Sequence, residues 1–227
     1  MRVGAETAAD EWIAARTGAG RMGRFLLRLK RLLDVAIAAG ALATLSPALA
    51  VLGVWIRVDS RGPILYSQLR VGLHGGTFRI WKLRTMVSDA EQQLENVREL
   101  NVHADLGDPR IYKFRDDPRV TTAGRFLRRH SLDELPQLWN VLRGEMSLVG
   151  PRPLTIEEDV HVAGADRRRL RVLPGLTGPW QVGGRNRLSF TDMMRLDGEY
   201  VDNWSLLLDL RLLARTIPVV LQSQDSW

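Results

Sequence analysis

The most constraining feature of this chain is an uncharged segment of 22 residues, Val35 to Ile56, which reads VAIAAGALATLSPALAVLGVWI. A helix of that length is about 33 Å long and could cross the roughly 30 Å hydrocarbon core of a bilayer. Pro47 lies near its middle, where it lacks a backbone N–H and clashes with the carbonyl of Ala43. The segment therefore either spans the membrane or enters it and turns back.

The charges beside this segment favour the second alternative. Basic residues lie on both sides, with Arg21, Arg24, Arg28, Lys30 and Arg31 before it and Arg57, Arg61, Arg70 and Arg79 after it. Basic excess is expected on the cytoplasmic side only, so both ends are expected in the cytoplasm. Ser46 can satisfy a backbone group that Pro47 leaves free. We therefore predict a re-entrant helix–break–helix at Ser46-Pro47, with a single span as the alternative from length alone.

The remaining chain is predicted to be mostly α with a small β-hairpin. Residues 24–34 (RFLLRLKRLLD) alternate basic and leucine positions at helical spacing, which fits either a helix lying on the membrane surface or one packed on the protein. Two β-rich segments, 64–71 and 77–83, flank a glycine-containing loop and predict the hairpin. Helical spacing is seen at 87–100 and 205–221, whereas residues 174–186, rich in Gly and Pro, predict an ordered loop.

Composition limits the function classes without choosing among them. The chain of 227 residues has no cysteine and a formal charge of +6, and its only lysines are Lys30, Lys82 and Lys113. Without cysteine there is neither a disulfide framework nor a thiolate metal site. The arginine excess suits phosphate, an anionic membrane surface or nucleic acid. Nucleic acid is the weaker alternative, because the aromatic residues are not interleaved with the basic ones.

The segment 125–140, RFLRRHSLDELPQLWN, is the densest candidate for chemistry. Ser131 and Glu134 have the spacing of a capping box, but Pro136 fits better in the first turn of a helix that begins at Asp133. A carboxylate there would lie at the positive end of the helix dipole, a place that suits phosphate, Mg²⁺ or a phosphorylated carboxylate. From the residues alone, an active site and a capped helix remain equally open.

Two further segments are candidate anion sites. Arg152 lies between two prolines in MSLVGPRP (146–153), as a phosphate clamp or as a solvated arginine in a connector. Lys82 and Arg84 alternate on the second predicted strand and are expected to point to one face. The four histidines have no metal-ligand spacing, so a zinc site is not expected, and the usual glycine-rich phosphate loops are absent from the sequence.

Taken together, these segments resemble the bacterial sugar transferases, the monotopic phosphoglycosyl transferases. The family's motifs occur in order from about Lys30 to Pro218: KRLLD, Ser46-Pro47, FRIWKLRTM, DPRVT, LRRHSLDELPQLWNVLRGEMSLVGPRP, PGLTGPWQV and YVDNWSLLLDL. The LDELPQ and GPRP motifs in this order are specific. The resemblance implies transfer of a sugar 1-phosphate from a UDP-sugar to undecaprenyl phosphate with release of UMP, in the first membrane step of exopolysaccharide, capsule, O-antigen or glycoprotein glycan synthesis.

The resemblance also implies roles for individual residues. Asp133 would be the nucleophile that forms a covalent phosphosugar–aspartate intermediate, and Glu134 would help to hold Mg²⁺. Lys82 and Arg128 match positions that contact phosphate, and Arg152 matches an arginine near the nucleotide. With Arg84 from the strand pattern, these residues make up the predicted site.

The expected organisation is a monotopic membrane protein in three parts. Residues 1–20 are a loose tail, residues 21–58 are the interfacial and re-entrant helices, and residues 59–227 are the catalytic domain, on the cytoplasmic face of the bacterial inner membrane. Membrane lipid is an expected partner, nucleic acid is not, and a homodimer is left open. The alternatives from other classes are a membrane-tethered nucleic-acid-binding protein and an anchored scaffold without catalysis.

Overall fold

A computed structural model describes residues 20–93, 117–184 and 188–221. Within these ranges the fold is mainly helical, as predicted, with two small sheets. The helices are α1 (Gly20–Asp59), α2 (Thr122–Arg129), α3 (Gln137–Arg143), α4 (Ile156–Asp159), α5 (Pro179–Gly183), α6 (Phe190–Asp202) and α7 (Leu206–Leu221). The strands are β1 (Leu65–Val71), β2 (Thr77–Leu83), β3 (Ser147–Val149) and β4 (Gly175–Thr177), and 3₁₀ turns cover Leu73–Gly75, Leu132–Glu134 and Gly164–Arg171.

Helix α1 contains the whole uncharged segment and continues through Pro47. The prediction of two helices separated at Ser46-Pro47 is therefore wrong at the level of secondary structure. The Ser46 hydroxyl donates to the carbonyl of Ala43 at 2.9 Å, the same carbonyl that proline leaves without its backbone donor. Within the described ranges, this is the one helix long and apolar enough to cross a membrane, and its apolar part is mostly exposed.

Both halves of α1 contact the rest of the protein. In its first half, Ala38 is buried in the main core, and Ala41 and Leu42 pack against it. In its second half, Ile56 is buried with Leu83, Ala123 and Leu127, while Leu49 and Leu52 pack on that second cluster. The side chains between these regions, from residue 43 to residue 48, are largely exposed. The two ends of the apolar segment thus lie against one folded domain.

Residues 24–34, for which two alternatives were open, form part of α1 and show both characters. The Lys30 ammonium donates to an Asp209 carboxylate oxygen at 2.6 Å, and Asp34 accepts from the Ser147 hydroxyl at 2.7 Å. Phe25 and Leu32 on other faces are 59% and 64% exposed. One side of this segment is therefore packed on the protein, and an apolar side is uncovered.

The predicted hairpin is confirmed. Strands β1 and β2 are antiparallel, with Leu65 opposite Leu83 and Val71 opposite Thr77. The loop reverses the chain through His74, whose φ of 56° is in the left-handed region, followed by Gly75 at 79°. The side chain of Asn140 in α3 accepts from the Trp81 backbone N–H and donates to the carbonyl of Arg79, so α3 covers the outer edge of β2.

The second sheet is a parallel pair, β3 and β4, in which Ser147 lies opposite Gly175, and it places the loops that follow these strands side by side. A Cβ at Gly175 would lie 2.1 Å from the backbone nitrogen of Gly150, so glycine is required by this close approach.

The prediction of a loop at 174–186 is wrong for residues 174–184. They form β4 and the short helix α5, which has Pro179 in its first turn.

The other helical predictions have different outcomes. Helix α7 confirms the pattern at 205–221 and contains Pro218. Half of the helix predicted at 87–100 lies outside the described residues, and in the described half residues 88–93 form turns. The main core lies between α1, α3, α6, α7 and the two sheets, with Val141, Met146 and Val201 fully buried.

Candidate active site

Helix α2 begins beside the end of α1 and ends just before the candidate dyad. The Thr121 hydroxyl accepts from the Gly124 backbone N–H at 3.0 Å, and Asp59, the last residue of α1, accepts from the Ala123 N–H at 2.9 Å. These two bonds satisfy donors that a helix start leaves unpaired. The rings of Trp55 in α1 and Phe126 in α2 also pack, with centroids 5.3 Å apart.

A tight reversal after α2 places the two carboxylates. Ser131 adopts a left-handed conformation with φ of 54°, and Leu132–Glu134 then form a 3₁₀ turn before α3 begins at Gln137. The Ser131 side chain caps neither turn nor helix, so the capping box is absent. The prediction that a helix begins at Asp133 is also wrong, because the α-helix starts after Pro136. The turn instead directs both carboxylates towards cationic side chains of distant segments.

Glu134 is held between two cations. Its Oε1 accepts from Lys82 Nζ at 2.9 Å and from Arg152 Nη2 at 2.8 Å. Lys82 comes from β2, and Arg152 comes from the loop after β3. Lys82 Nζ also lies 3.8 Å from Asp133 Oδ2, so one ammonium serves both carboxylates. The structure thus brings together four of the predicted site residues.

The two neighbouring carboxyls have opposite electrostatic environments. Burial raises the pKa of Asp133 above its ordinary value, Lys82 acts to lower it, and the charge of Glu134 raises it further. Burial would also raise the pKa of Glu134, but Arg152 and Lys82 hold it well below its usual range. Glu134 is therefore the fixed anion of the pair, and Asp133 is the less strongly paired carboxyl. A division of this kind is typical of sites where two acids have different roles.

The guanidinium of Arg152 contacts both the carboxylate of Glu134 and the ring of Trp180. Its pKa is raised, first by the charge of Glu134, against the opposing effect of burial. The guanidinium carbon lies 5.7 Å from the ring centroid of Trp180 in α5, within the range of a cation–π interaction. Arg152 is therefore not a solvated arginine in a connector. The cationic side of the site is built in advance of any substrate.

Arg128 lies near the same turn, on the side of Asp133. Its Nε donates to the hydroxyl of Thr85 at 3.0 Å. Burial lowers the pKa of Arg128, and the charges of Asp133 and Asp117 oppose that effect. The guanidinium therefore adds positive potential beside Asp133 without a direct ion pair to it at salt-bridge distance.

Arg84 is not part of this cluster. Its Nη2 donates to the carbonyl and hydroxyl of Ser60, at 2.7 and 2.9 Å, just beyond the end of α1. The expectation that Lys82 and Arg84 share one anion-binding face is wrong, because β2 ends at Leu83 and the alternation of side chains ends with it. In this structure Arg84 fixes the chain that follows α1.

A divalent cation would have a small set of protein ligands here. Within the described residues, no group of three or more His, Asp or Glu side chains converges on one point. Mg²⁺ commonly uses one or two carboxylates and completes its shell with water and substrate phosphates. The adjacent carboxylates of Asp133 and Glu134 fit that pattern in number and chemistry, since oxygen is the ligand that this ion prefers.

Sequence reasoning did not single out two residues that support the site. Thr85 lies two residues beyond the end of β2 and accepts from Arg128. Trp180 follows the proline of PGLTGPW and stacks with Arg152. A hydroxyl next to a strand end and an aromatic residue in a glycine-rich segment are both common in loops. The sequence signal for these two residues was their position inside the family motifs FRIWKLRTM and PGLTGPWQV. That signal does not reveal their contacts, because their partners are far away in sequence.

Comparison with known proteins gives a consistent assignment. The family model described as bacterial sugar transferase matches residues 25–223. The exopolysaccharide production protein ExoY of Sinorhizobium fredii is 43% identical over 198 residues, which cover 87% of this chain and 88% of that protein.

Two longer relatives have names that describe a reaction. The UDP-glucose:undecaprenyl-phosphate glucose-1-phosphate transferase of Caulobacter vibrioides is 41% identical, covering 87% of this chain and 72% of that protein. The undecaprenyl-phosphate galactose phosphotransferase of Salmonella typhimurium is 39% identical, covering 92% of this chain and 43% of that protein. The match over residues 25–223 includes the dyad and the segments that supply Lys82, Arg128 and Arg152. The chain belongs to the bacterial sugar transferase family.

Proposed function

We propose that this protein is a phosphoglycosyl transferase that moves a sugar 1-phosphate from a UDP-sugar to undecaprenyl phosphate, at the start of exopolysaccharide synthesis. The observation that carries the proposal is the dyad, in which Glu134 is neutralised by Lys82 and Arg152 while Asp133 beside it is less strongly paired. Relatives named as undecaprenyl-phosphate galactose or glucose phosphotransferases support the same reaction class.

In the proposed first step, an ionised Asp133 oxygen attacks the phosphorus that is bonded to the sugar. An O–P bond forms to the carboxylate as the bond to the bridging oxygen breaks, and that oxygen leaves with UMP. In the second step, a phosphate oxygen of undecaprenyl phosphate attacks the same phosphorus and releases Asp133 as a carboxylate. Each step exchanges one O–P bond for another, so no oxidant or further reactant is required.

The cationic residues have a clear part in such a reaction. A carboxylate can approach a negatively charged diphosphate only if positive charge offsets the repulsion. Lys82, Arg128 and Arg152 supply that charge around the dyad. Mg²⁺, held by Glu134 and the substrate phosphates, would neutralise further charge on the diphosphate when bound.

We further propose that α1 is re-entrant and that its two ends lie on the cytoplasmic side of the inner membrane. Residues in both halves of α1 pack on the same domain, which supports one side for both ends. Basic residues flank the apolar segment on each side, in agreement with the positive-inside rule. A domain attached in this way would place a water-soluble donor and a lipid phosphate at the same membrane surface.

The reaction is tested by release of UMP from a panel of UDP-hexoses. Purified protein in detergent is incubated with Mg²⁺ and undecaprenyl phosphate, beside Asp133→Asn and a control, Asp89→Asn, which changes an exposed carboxylate. We expect release with at least one donor, a loss of about 10³-fold or more in Asp133→Asn, and no change in the control. Without the lipid acceptor, intact-protein mass spectrometry should detect the added sugar phosphate in the wild type only. An active Asp133→Asn variant would overturn the assignment of the nucleophile.

The membrane arrangement is tested separately, since the chain has no cysteine and single cysteines can be introduced into a clean background. Arg24→Cys and Arg61→Cys are suitable because both positions are exposed and lie on either side of the uncharged segment. A membrane-impermeant thiol reagent applied to inside-out vesicles should label both variants. Labelling of the two from opposite sides would show that α1 spans the membrane.

A further inference from the structure

The loop that carries Arg152 is held by its backbone from several sides. Val149 O accepts from Lys30 Nζ at 3.2 Å and from the Tyr200 hydroxyl at 3.1 Å. The Gly150 N–H donates to the carbonyl of Thr177 at 3.0 Å. The carbonyls of Pro151 and Arg152 accept from the Gly175 N–H and from Arg169 Nη2, respectively, and that of Pro153 accepts from Arg70 Nη1. The carbonyls directly before and after Arg152, and that of Arg152 itself, are thus each fixed by a distant segment.

The bond to the carbonyl of Arg152 itself comes from a buried arginine. Arg169, in the 3₁₀ turn Gly164–Arg171, is 3% exposed. Its Nε and Nη2 donate to Asp197 Oδ2 at 3.1 and 3.0 Å, and the same Nη2 donates to the carbonyl of Arg152. Asp197, in α6, is fully buried. Asp197 therefore holds Arg169, which in turn holds the backbone of the residue that pairs with Glu134.

This ion pair is poorly explained as a device for stability alone. The second oxygen of Asp197, Oδ1, is buried and has no hydrogen-bond donor among the described residues. Burial raises the pKa of Asp197 to about 6, although Arg169 acts to lower it. A buried ion pair of this kind is often no more stable than apolar residues of the same volume. Fixing the orientation of a neighbouring group is a role that such a pair performs well.

We propose that Arg169, fixed by Asp197, is a positioning residue that sets the place of Arg152 and so the distance between its guanidinium and Glu134. This inference rests on the proposed function for its kinetic consequences and on the structure alone for its effect on the loop. The substrate concerned is the negatively charged nucleotide sugar of the proposed reaction, because Arg169 affects that substrate only through Arg152.

The neighbouring arginine provides a matched control. Arg168 lies in the same 3₁₀ turn and pairs with Asp202 of α6 at 3.4 Å, so it too links that turn to α6. The polar contacts that the structure gives for Arg168 do not include the loop of Arg152. Arg169→Lys and Arg168→Lys therefore remove the same guanidinium geometry at adjacent positions, and they differ in their relation to the loop.

The first measurement is hydrogen–deuterium exchange, in the detergent-solubilised full chain, of the two backbone amides that hold the loop. These are the Gly150 N–H, bonded to Thr177, and the Gly175 N–H, bonded to the carbonyl of Pro151. We expect faster exchange in Arg169→Lys, by roughly tenfold or more, and no change in Arg168→Lys. If Arg169→Lys does not fold, Asp197→Asn is used in its place, since it keeps the shape of the side chain and removes the charge that holds Arg169. Unchanged exchange at these amides in a folded variant would overturn the proposal.

The second measurement is the rate of UMP release in a double-mutant comparison. Arg169→Lys should lower kcat by roughly ten- to a hundredfold, because a small displacement of a positioning group is costly. In an Arg152→Ala background the same substitution should cost less than about twofold, because the residue it positions is gone. An equal cost in both backgrounds would contradict the proposal. Faster loop exchange in Arg169→Lys without UMP release by the wild type would instead contradict the proposed reaction and leave the positioning role supported.

Discussion

The ammonium of Lys82 should influence the pH at which Asp133, the proposed nucleophile, becomes ionised. Its Nζ lies 3.8 Å from Asp133 Oδ2, and both side chains are largely buried. At that distance the attraction is about 1 kcal/mol in water and about 4 kcal/mol at the effective dielectric constant of about 20 that suits partly buried pairs. Replacing Lys82 with methionine removes this attraction and keeps most of the apolar length of the side chain.

The sign of the effect follows from the charge of the group. A carboxylate that loses a nearby cation binds its proton more tightly, so the pKa of Asp133, already raised by burial, should rise further. Because the proposed mechanism requires an ionised Asp133, the acid limb of the pH dependence of kcat/KM should move to higher pH. Since 1.36 kcal/mol corresponds to one pH unit, we expect a displacement of about one unit or more.

The assay is initial-rate UMP release across the acid range for the wild type, Lys82→Met and Lys82→Arg. Both substitutions are expected to lower the maximal rate, since Lys82 also pairs with Glu134, so the position of the limb is the informative quantity. Lys82→Arg keeps the positive charge and should keep the limb near that of the wild type. An unmoved limb in Lys82→Met, or an equal displacement in both variants, would refute the electrostatic reasoning.

Three other substitutions test separate parts of the structure. Glu134→Gln leaves two cations without their shared anion and should lower the free energy of unfolding by about 2 kcal/mol. The variant should show a lower Tm in detergent and a loss of UMP release. An unchanged Tm would contradict this prediction. Gly124→Ala places a Cβ 2.0 Å from the carbonyl oxygen of Thr85 and should lower the Tm sharply, whereas a normal Tm would show that the two segments can separate. The pKa of Asp197 is about 6 in the folded chain and 3.8 ordinarily, so the folded chain binds the proton more readily. The contribution of Asp197 to stability should therefore fall by roughly 3 kcal/mol as the pH rises from about 4 to about 6. Asp197→Asn should remove that part of the pH dependence of Tm, and an identical pH profile in the variant would contradict it.

Local patterns in the sequence were sufficient for the elements whose structure depends on local physics. The hairpin follows from β-rich segments around a loop in which His74 and Gly75 adopt positive φ, and α7 follows from its apolar spacing. The start of α3 was misjudged because the left-handed conformation of Ser131 reverses the chain before the proline. A serine rarely signals that conformation, so the sequence alone favoured a helix that begins at Asp133.

The site residues were identified as candidates, but their arrangement depends on contacts across the chain. Lys82 and Glu134 are 52 residues apart, and no local pattern could show that they meet. Arg84 was grouped with Lys82 on strand alternation, which fails because the strand ends one residue earlier. The roles of Arg169 and Asp197 were also hidden, since a basic turn and an acid on a helix usually indicate solvated surface.

The connection between α1 and the dyad has a geometric consequence for where the reaction occurs. Asp59 at the end of α1 accepts from the first turn of α2, and Trp55 packs on Phe126 one turn later. Helix α2 has eight residues and is about 12 Å long, and the dyad follows at its far end. Because Asp59 contacts Ala123 and Trp55 contacts Phe126, α2 runs back beside the last turns of α1, and the position of Asp133 along α1 depends on the length of this one short helix. A change of one turn in α2 would therefore move Asp133 by about 5.4 Å relative to α1.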